Sequence, residues 1–182
     1  SHDITLTTVD SDVYLRLTKI REFIQDGNLF NHDIIATNAP YGGVETPWTR
    51  PVDFIVSIIY PFTPSDLSIN KRLLLSAVWY PILIGSLLIY IMGKSAETDF
   101  KSVHKLVIVI LGLIGYLLNS NEDSYFMVGN VDHHSLQTLL WVTSIWFLLS
   151  RPSTYRSIGL GLTLGTWVWI SPEALPFIFA IY

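Results

Sequence analysis

Apolar residues form four long runs in the last 110 or so positions of the chain, and short polar or charged segments separate them. The runs cover residues 73–93, 106–118, 136–149 and 158–170. The first run is close to the roughly 20 residues that a helix needs to cross a bilayer. Each of the shorter runs would also fit a buried core helix, but four in series favour a membrane helix bundle.

The first 72 residues show a different pattern, in which apolar and polar positions alternate at helical spacing. Val13, Leu17, Ile20 and Ile24 recur along one side of a helix. The pattern predicts an amphipathic helix of about four turns, with Asp12 as N-cap and Gly27 as the stop. The polar face of this predicted helix carries three basic residues, Arg16, Lys19 and Arg21.

A segment rich in proline and glycine follows, and then a short apolar piece over residues 54–60 that Pro61 and Pro64 end. This piece is too short to span a bilayer, so a re-entrant or interfacial helix is predicted. The expected architecture is all-α, with a long first loop over residues 1–72 and a bundle of about four spans over residues 73–182. Because the sequence stops inside an apolar run, we expect it to continue in a longer membrane protein.

Composition agrees with a membrane environment. Half of the 182 residues are hydrophobic and 14% are charged, whereas a soluble domain carries about a quarter charged residues. The net charge of −4 and the lack of a Lys/Arg cluster argue against a nucleic-acid partner. The absence of cysteine excludes disulfides, Cys-based zinc sites and thiol nucleophiles.

The charges of the short loops predict how the spans are oriented in the membrane. Residues 94–105 and 151–156 contain Lys or Arg, whereas residues 119–134 contain three acids and no Lys or Arg. Cytoplasmic loops carry the excess of Lys and Arg, so residues 119–134 and the first loop are expected on the extracytoplasmic face of the plasma (inner) membrane. The candidate chemical residues then share one side: Asp10, Asp12, Asp132, His133, His134 and Glu173.

The strongest candidate site is Asp132-His133-His134, which lies directly before an apolar run. Carboxylate and imidazole groups both bind divalent metals. The spacing would let Asp132 and His134 face one ion, with His133 turned elsewhere as a substrate contact. The alternatives are an exposed loop with incidental histidines and a helix cap made by Asp132.

A second acidic motif, Asp10-Ser11-Asp12, places two carboxylates two residues apart. Such a pair can share a hard cation such as Mg²⁺ or Mn²⁺, although a solvated helix cap would have the same sequence. Since both motifs are expected on one face of the membrane, the predicted metal ligands are Asp10, Asp12, Asp132 and His134. Asp10 or Asp12 could instead deprotonate an acceptor.

Several other residues have two interpretations each. Arg50 could hold a phosphate through its planar guanidinium, or it could form a structural pair with Asp53. Arg16 is ambiguous in the same way, and Trp48 belongs to the same proline-bracketed loop as Arg50. Glu173 could be a ligand or an interfacial carboxylate at the end of a span. The candidate substrate- or phosphate-binding set is therefore Arg16, Trp48, Arg50, His133 and Glu173.

The order of these motifs resembles the GT-C superfamily of membrane glycosyltransferases, especially the N-terminal part of the oligosaccharyltransferase catalytic subunit. The resemblance is carried by Asp10 with Tyr14 and Arg16, by the segment 48–53 and by Asp132-His133-His134. Residues 173–177 also match the Glu-x-x-Pro-Phe end of related bacterial membrane proteins. The first motif departs from the usual Asp-Pro-Trp.

The resemblance implies transfer of a sugar or oligosaccharide from a polyprenyl-phosphate or -pyrophosphate donor to an extracytoplasmic acceptor. The reaction would be metal-assisted, with Mg²⁺ or Mn²⁺, and inverting. The alternative is a membrane transporter or structural subunit with a metal-binding outer loop. The runs 73–93 and 106–118 contain no charged side chain, which counts against transport of ions. A soluble Asp-His-His phosphoesterase is incompatible with the apolar runs.

Overall fold

The computed structural model describes residues 11–28, 33–34, 43–45, 49–97 and 126–181, which are predominantly helical. Helices are found at Ser11–Asp26 (α1), Pro51–Ile59 (α2), Ile69–Glu97 (α3), His133–Leu149 (α4), Thr154–Ile170 (α5) and Ala174–Ile181 (α6). A single 3₁₀ turn, Tyr60–Phe62, extends α2. Two strands of two residues each, Asp33–Ile34 (β1) and Val44–Glu45 (β2), pair antiparallel.

The chain divides into two compact units. The first contains Ser1–Ile82 together with Met127–Asp132, and the second contains Leu83–Phe126 together with His133–Tyr182. In the first unit α1 packs against α2. In the second unit α4 and α5 form an extensively packed helix pair.

The amphipathic helix predicted from the first loop is confirmed as α1. Val13, Leu17, Ile20 and Phe23 are buried. Gly27 ends the helix with a φ of +68°, in the left-handed region that glycine adopts without steric cost. Its amide donates to the Phe23 carbonyl oxygen at 2.8 Å. Asp12 was predicted as the N-cap, but the helix already includes Ser11, so Asp12 lies inside the first turn.

The polar face predicted for α1 is wrong at two of its three basic residues. Arg16 is 3% exposed and Lys19 is fully buried, whereas Arg21 is half-buried. Arg16 and Lys19 lie on either side of Phe23 around the helix. The buried face of α1 is therefore wider than the predicted face of aliphatic residues. The charges are placed against α2 because that helix supplies a buried carboxylate, Asp53.

The short apolar piece predicted to be helical lies in α2 and its 3₁₀ extension. Pro51 occupies its first turn, where the missing N–H has no intrahelical partner to lose. Val52, Asp53 and Val56 are buried. The 3₁₀ turn Tyr60–Phe62 extends the helix beyond Ile59.

Helix α3 contains the first predicted span. It has 29 residues and continues through Pro81. Among the described residues it is the one helix that is long and apolar enough to cross a membrane. Less than half of its most apolar window, 44%, is buried inside the protein. The predicted run 106–118 lies outside the described residues.

The last two predicted apolar runs form α4 and α5, each a helix of 17 residues. Ser153 caps α5: its hydroxyl accepts from the Arg156 amide at 3.4 Å. The run 158–170 contains Gly161 and Gly165 at a spacing that lets membrane helices approach closely. A Cβ at either glycine would meet no atom of the described part of the chain within 4 Å. The close approach is at Gly159, where a Cβ would lie 2.6 Å from Cζ of Phe147.

This contact gives a matched pair of predictions. Gly161→Ala should stabilise the protein by about 0.5–1 kcal/mol, because alanine is the better helix former and the space is open. Gly159→Ala should instead destabilise it by about 1–2 kcal/mol, because the methyl group overlaps the Phe147 ring. Denaturant unfolding in detergent measures both. Addition of Phe147→Leu to Gly159→Ala should restore most of the loss; equal effects of the two alanines would contradict the packing described.

Candidate metal centre

The Asp-His-His motif follows a tight turn at the start of α4. Gly129 has a φ of +88°, which favours glycine. The Asn130 amide donates to the Met127 carbonyl at 2.9 Å, and the Asn130 side-chain oxygen accepts from the Asp132 amide at 2.9 Å. These bonds fix the backbone immediately before the three candidate ligands.

A contact with α3 also holds this turn. The Tyr80 hydroxyl donates to the Asp132 carbonyl oxygen at 3.3 Å, and both Tyr80 and Val131 are fully buried. The bond is made by the main-chain carbonyl of Asp132 and not by its carboxylate. Sequence reasoning missed Tyr80, since an apolar run gives no sign that one aromatic residue supports a loop 52 positions away.

The three consecutive side chains of the motif converge. One ligand atom from each of Asp132, His133 and His134 lies within 4.8 Å of the other two. The two imidazole rings stack with centroids 4.2 Å apart and an interplanar angle of 30°. All three residues are half-buried, so they are partly shielded from water but still reachable.

This geometry differs from the predicted one in the position of His133. The sequence pattern predicted that Asp132 and His134 bind one ion and that His133 faces elsewhere. In the structure His133 lies against His134 and belongs to the same group of ligand atoms. The group is therefore a three-residue set with two nitrogens and one oxygen.

The chemistry of these donors fits a divalent transition ion. Metal–ligand bonds to nitrogen and oxygen are about 2.1 Å long, so two ligands of one ion are at most about 4.2 Å apart. The observed separations of up to 4.8 Å need a side-chain adjustment of roughly half an ångström. Imidazole suits Zn²⁺ and Fe²⁺ best, and Mn²⁺, as a first-row transition ion, accepts nitrogen ligands more readily than Mg²⁺. The residues present thus favour Mn²⁺ over Mg²⁺ among the ions expected from the sequence.

The other predicted ligands are placed only in part. Asp10 and Trp48 lie outside the described residues. Asp12 is exposed in the first turn of α1. Glu173 is exposed in the turn before α6, where its amide donates to the Ser171 hydroxyl at 3.2 Å.

A group of buried charges, here called the basic cluster, lies between α1 and α2. It consists of Arg16, Lys19, Arg50 and Asp53. Arg50 Nη1 contacts Asp53 Oδ2 at 3.0 Å, and Lys19 Nζ lies 3.9 Å from the same oxygen. The structural interpretation of Arg50, a pair with Asp53, is therefore confirmed. The cluster contains three cations and one carboxylate.

Burial dominates the electrostatics of the basic cluster. It lowers the pKa of the Lys19 ammonium to about 8, although Asp53 opposes the shift. Burial also raises the pKa of Asp53, against the attraction of Lys19, Arg16 and Arg50. The pKa of Arg16 is lowered by burial, while Asp53, Asp132, Tyr80 and Asp12 raise it. Arg16 is thus within electrostatic range of both Asp12 and Asp132.

A pH dependence of stability follows from Lys19. The unfolded chain keeps the Lys19 proton up to the ordinary pKa of 10.5, whereas the folded protein releases it near pH 8. The unfolded state therefore binds more protons in this window, and the free energy of unfolding should rise with pH. From pH 8 to 9.5 we expect a gain of about 2 kcal/mol.

Urea unfolding of the detergent-solubilised protein across this pH range measures the effect. Lys19→Met should remove most of the pH-dependent increase in the free energy of unfolding. The matched control, Lys71→Met, removes an exposed lysine and should leave the rise unchanged. A wild-type profile that falls between pH 8 and 9.5 would contradict the burial of a charged Lys19.

Comparison with known proteins adds no relative: no family model, no curated protein and no solved structure matches the chain.

Proposed function

We propose that the chain belongs to a polytopic membrane glycosyltransferase of the GT-C type, which takes a sugar from a polyprenyl-phosphate-linked donor. The observation that carries the proposal is the convergence of Asp132, His133 and His134, together with the electrostatic interaction between Asp132 and the buried Arg16 guanidinium. A metal-ligand set next to a fixed cation suits a phosphate that must be held as it leaves. The site would face the extracytoplasmic side, and the acceptor would be a protein, lipid or glycan there.

The membrane part of the proposal has support from the helices. Large apolar side chains of α3 are exposed, among them Trp79, Leu83, Leu87 and Tyr90. In a soluble protein such a face would be unfavourable, whereas lipid accommodates it. Hydroxyls in α3, α4 and α5, and at Ser150 just after α4, donate to the carbonyl four residues earlier, so they need no water. They belong to Ser76, Ser95, Thr138, Thr143, Ser144, Ser150 and Thr163.

The positions of the charged residues suggest a separate role for each of them. Asp132, His133 and His134 would hold the ion, and a bound divalent ion would offset negative charge on the phosphate of the leaving lipid. Arg16 would attract the same phosphate through the positive charge of its guanidinium. Arg50, already paired with Asp53, would act by orienting the cluster rather than by touching substrate. Asp12, exposed in the first turn of α1 and within electrostatic range of Arg16, is the described candidate for deprotonating an acceptor.

The test is transfer by the intact protein in proteoliposomes. Labelled sugars on polyprenyl phosphate are supplied as a panel, together with a mixture of membrane lipids, proteins and glycans as the source of acceptor. Consumption of the labelled donor is followed by chromatography with and without a chelator. We expect consumption of one of the donors, arrest by chelator and recovery with Mn²⁺. Asp132→Ala should remove the activity, and the matched control Asp66→Ala, at an exposed position outside the site, should keep it. Metal binding with no turnover of any donor would favour a non-enzymatic metal-binding membrane protein instead.

A further inference from the structure

Gln137 lies in α4, one turn after the two histidines of the candidate metal centre. It follows His133 by four residues and His134 by three. These are the separations at which side chains are neighbours on a helix surface, with Cβ atoms about 5–6 Å apart. Side chains of a helix also lean toward its N-terminus. The carboxamide of Gln137 is therefore directed toward the two imidazoles.

The core face of α4 lies on the other side of the helix. Ser135, Leu136 and Leu139 are buried. At about 100° per residue, they lie on the face opposite to Gln137 and the two imidazoles. Gln137 is thus part of the surface that carries the candidate ligands and not of the apolar core face.

The side-chain amide of Gln137 carries a buried donor. Its Nε2 is shielded from solvent and has no hydrogen-bond partner in the part of the chain that the structure describes. A buried N–H that stays unpaired costs free energy, and native proteins contain few such groups. An oxygen atom of a ligand bound at the metal centre would supply the acceptor.

We propose that Gln137 binds the phosphate of the lipid-linked donor, with Nε2 donating to one phosphate oxygen while the ion holds another. The inference rests on the proposed function and adds a substrate-binding residue to its metal centre. A phosphate suits the position because it presents several oxygens around one phosphorus atom. A carboxamide suits it because it donates without a charge, so it does not repel the divalent ion as Lys or Arg would.

The variant Gln137→Met tests the proposal, because methionine is an unbranched side chain with a similar helix propensity and has no N–H. The matched control is Gln25→Met, the same change at an exposed position of α1. Mn²⁺ affinity is measured by electron paramagnetic resonance on the solubilised protein. Calorimetry on the Mn²⁺-loaded protein measures affinity for methyl phosphate, a soluble monoester that represents the lipid phosphate.

We expect Gln137→Met to keep the Mn²⁺ affinity within about twofold and to lower the methyl phosphate affinity at least about tenfold, as for a lost hydrogen bond to a charged group. Gln25→Met should change neither value. The urea midpoint of Gln137→Met without ligand should not fall, because the buried N–H that is removed was unpaired.

Three results would overturn the assignment of Gln137. The first is a methyl phosphate affinity that does not change in Gln137→Met, or that is absent in a wild type that binds Mn²⁺. The second is a weakened Mn²⁺ affinity, which would make Gln137 a ligand of the ion through its carbonyl oxygen. The third is a lower urea midpoint, which would show a structural role.

The sugar-transfer assay separates this inference from the proposed function. Transfer by the wild type, with unchanged methyl phosphate affinity in Gln137→Met, would refute the role of Gln137 alone. The expected loss of methyl phosphate affinity without any sugar transfer would refute the transferase and retain the phosphate contact. A wild type that binds no Mn²⁺ would refute the metal centre on which both rest.

Discussion

Replacing His133 and His134 together with alanine should weaken Mn²⁺ binding by at least about a hundredfold, because two of the three converging donors are removed. Loss of even an indirect support of a metal site typically costs 10- to 100-fold in affinity. Mn²⁺ electron paramagnetic resonance on the purified protein measures free and bound ion directly. The fold should survive, since both side chains are half-buried at the start of α4.

Single variants distinguish the predicted from the observed role of His133. If His133 were turned away from the ion, His133→Ala would bind Mn²⁺ like the wild type. The observed stacking against His134 predicts instead that His133→Ala and His134→Ala are both impaired. Asp66→Ala is the control. Unchanged Mn²⁺ affinity in the double variant would contradict the assignment of this centre.

Replacing Asp53 with asparagine should destabilise the protein by about 3–5 kcal/mol, the cost of removing one partner from a buried ion pair. Asp53 is fully buried and lies 3.0 Å from Arg50 and 3.9 Å from Lys19. Its loss removes the carboxylate from a cluster of three buried cations. Urea unfolding of the solubilised protein at pH 7 gives the difference.

The matched control is Asp66→Asn, which makes the same chemical change at an exposed position and should stay within about 0.5 kcal/mol of the wild type. Combining Asp53→Asn with Lys19→Met should recover part of the loss, since one of the uncompensated cations is removed as well. A cost for Asp53→Asn as small as that of the control would show that the basic cluster is hydrated rather than buried.

The helices of this protein follow from its sequence wherever apolar residues repeat at helical spacing. Helix α1 was predictable from Val13, Leu17 and Ile20, and its end from Gly27. The burial of Arg16 and Lys19 was not predicted, because long cationic side chains usually remain at the surface. One signal was present: Phe23 lies on the same flank of the helix as these cations, and it indicates a wider buried face.

The Asp-His-His group was predictable because its members are consecutive, and proximity then needs no tertiary contact. The position of His133 could not be predicted, because it depends on how the first turn of α4 directs two neighbouring rings. The hydrogen bond from Tyr80 could not be predicted either, because it results from tertiary packing. Glycine spacing likewise identifies small residues only, whereas the packed structure shows that Gly159 meets an aromatic ring and that Gly161 meets no atom of the described residues.

The central claim is that ion binding by Asp132, His133 and His134 supports transfer from a polyprenyl-phosphate donor. Its most direct test measures the Mn²⁺ concentration that half-saturates transfer and the Mn²⁺ dissociation constant in the same proteoliposomes, for the wild type and for His134→Ala. We expect the two values to coincide in the wild type and to rise by the same factor in the variant. Transfer that is insensitive to Mn²⁺, or that keeps its half-saturation point while binding at this centre weakens, would contradict it.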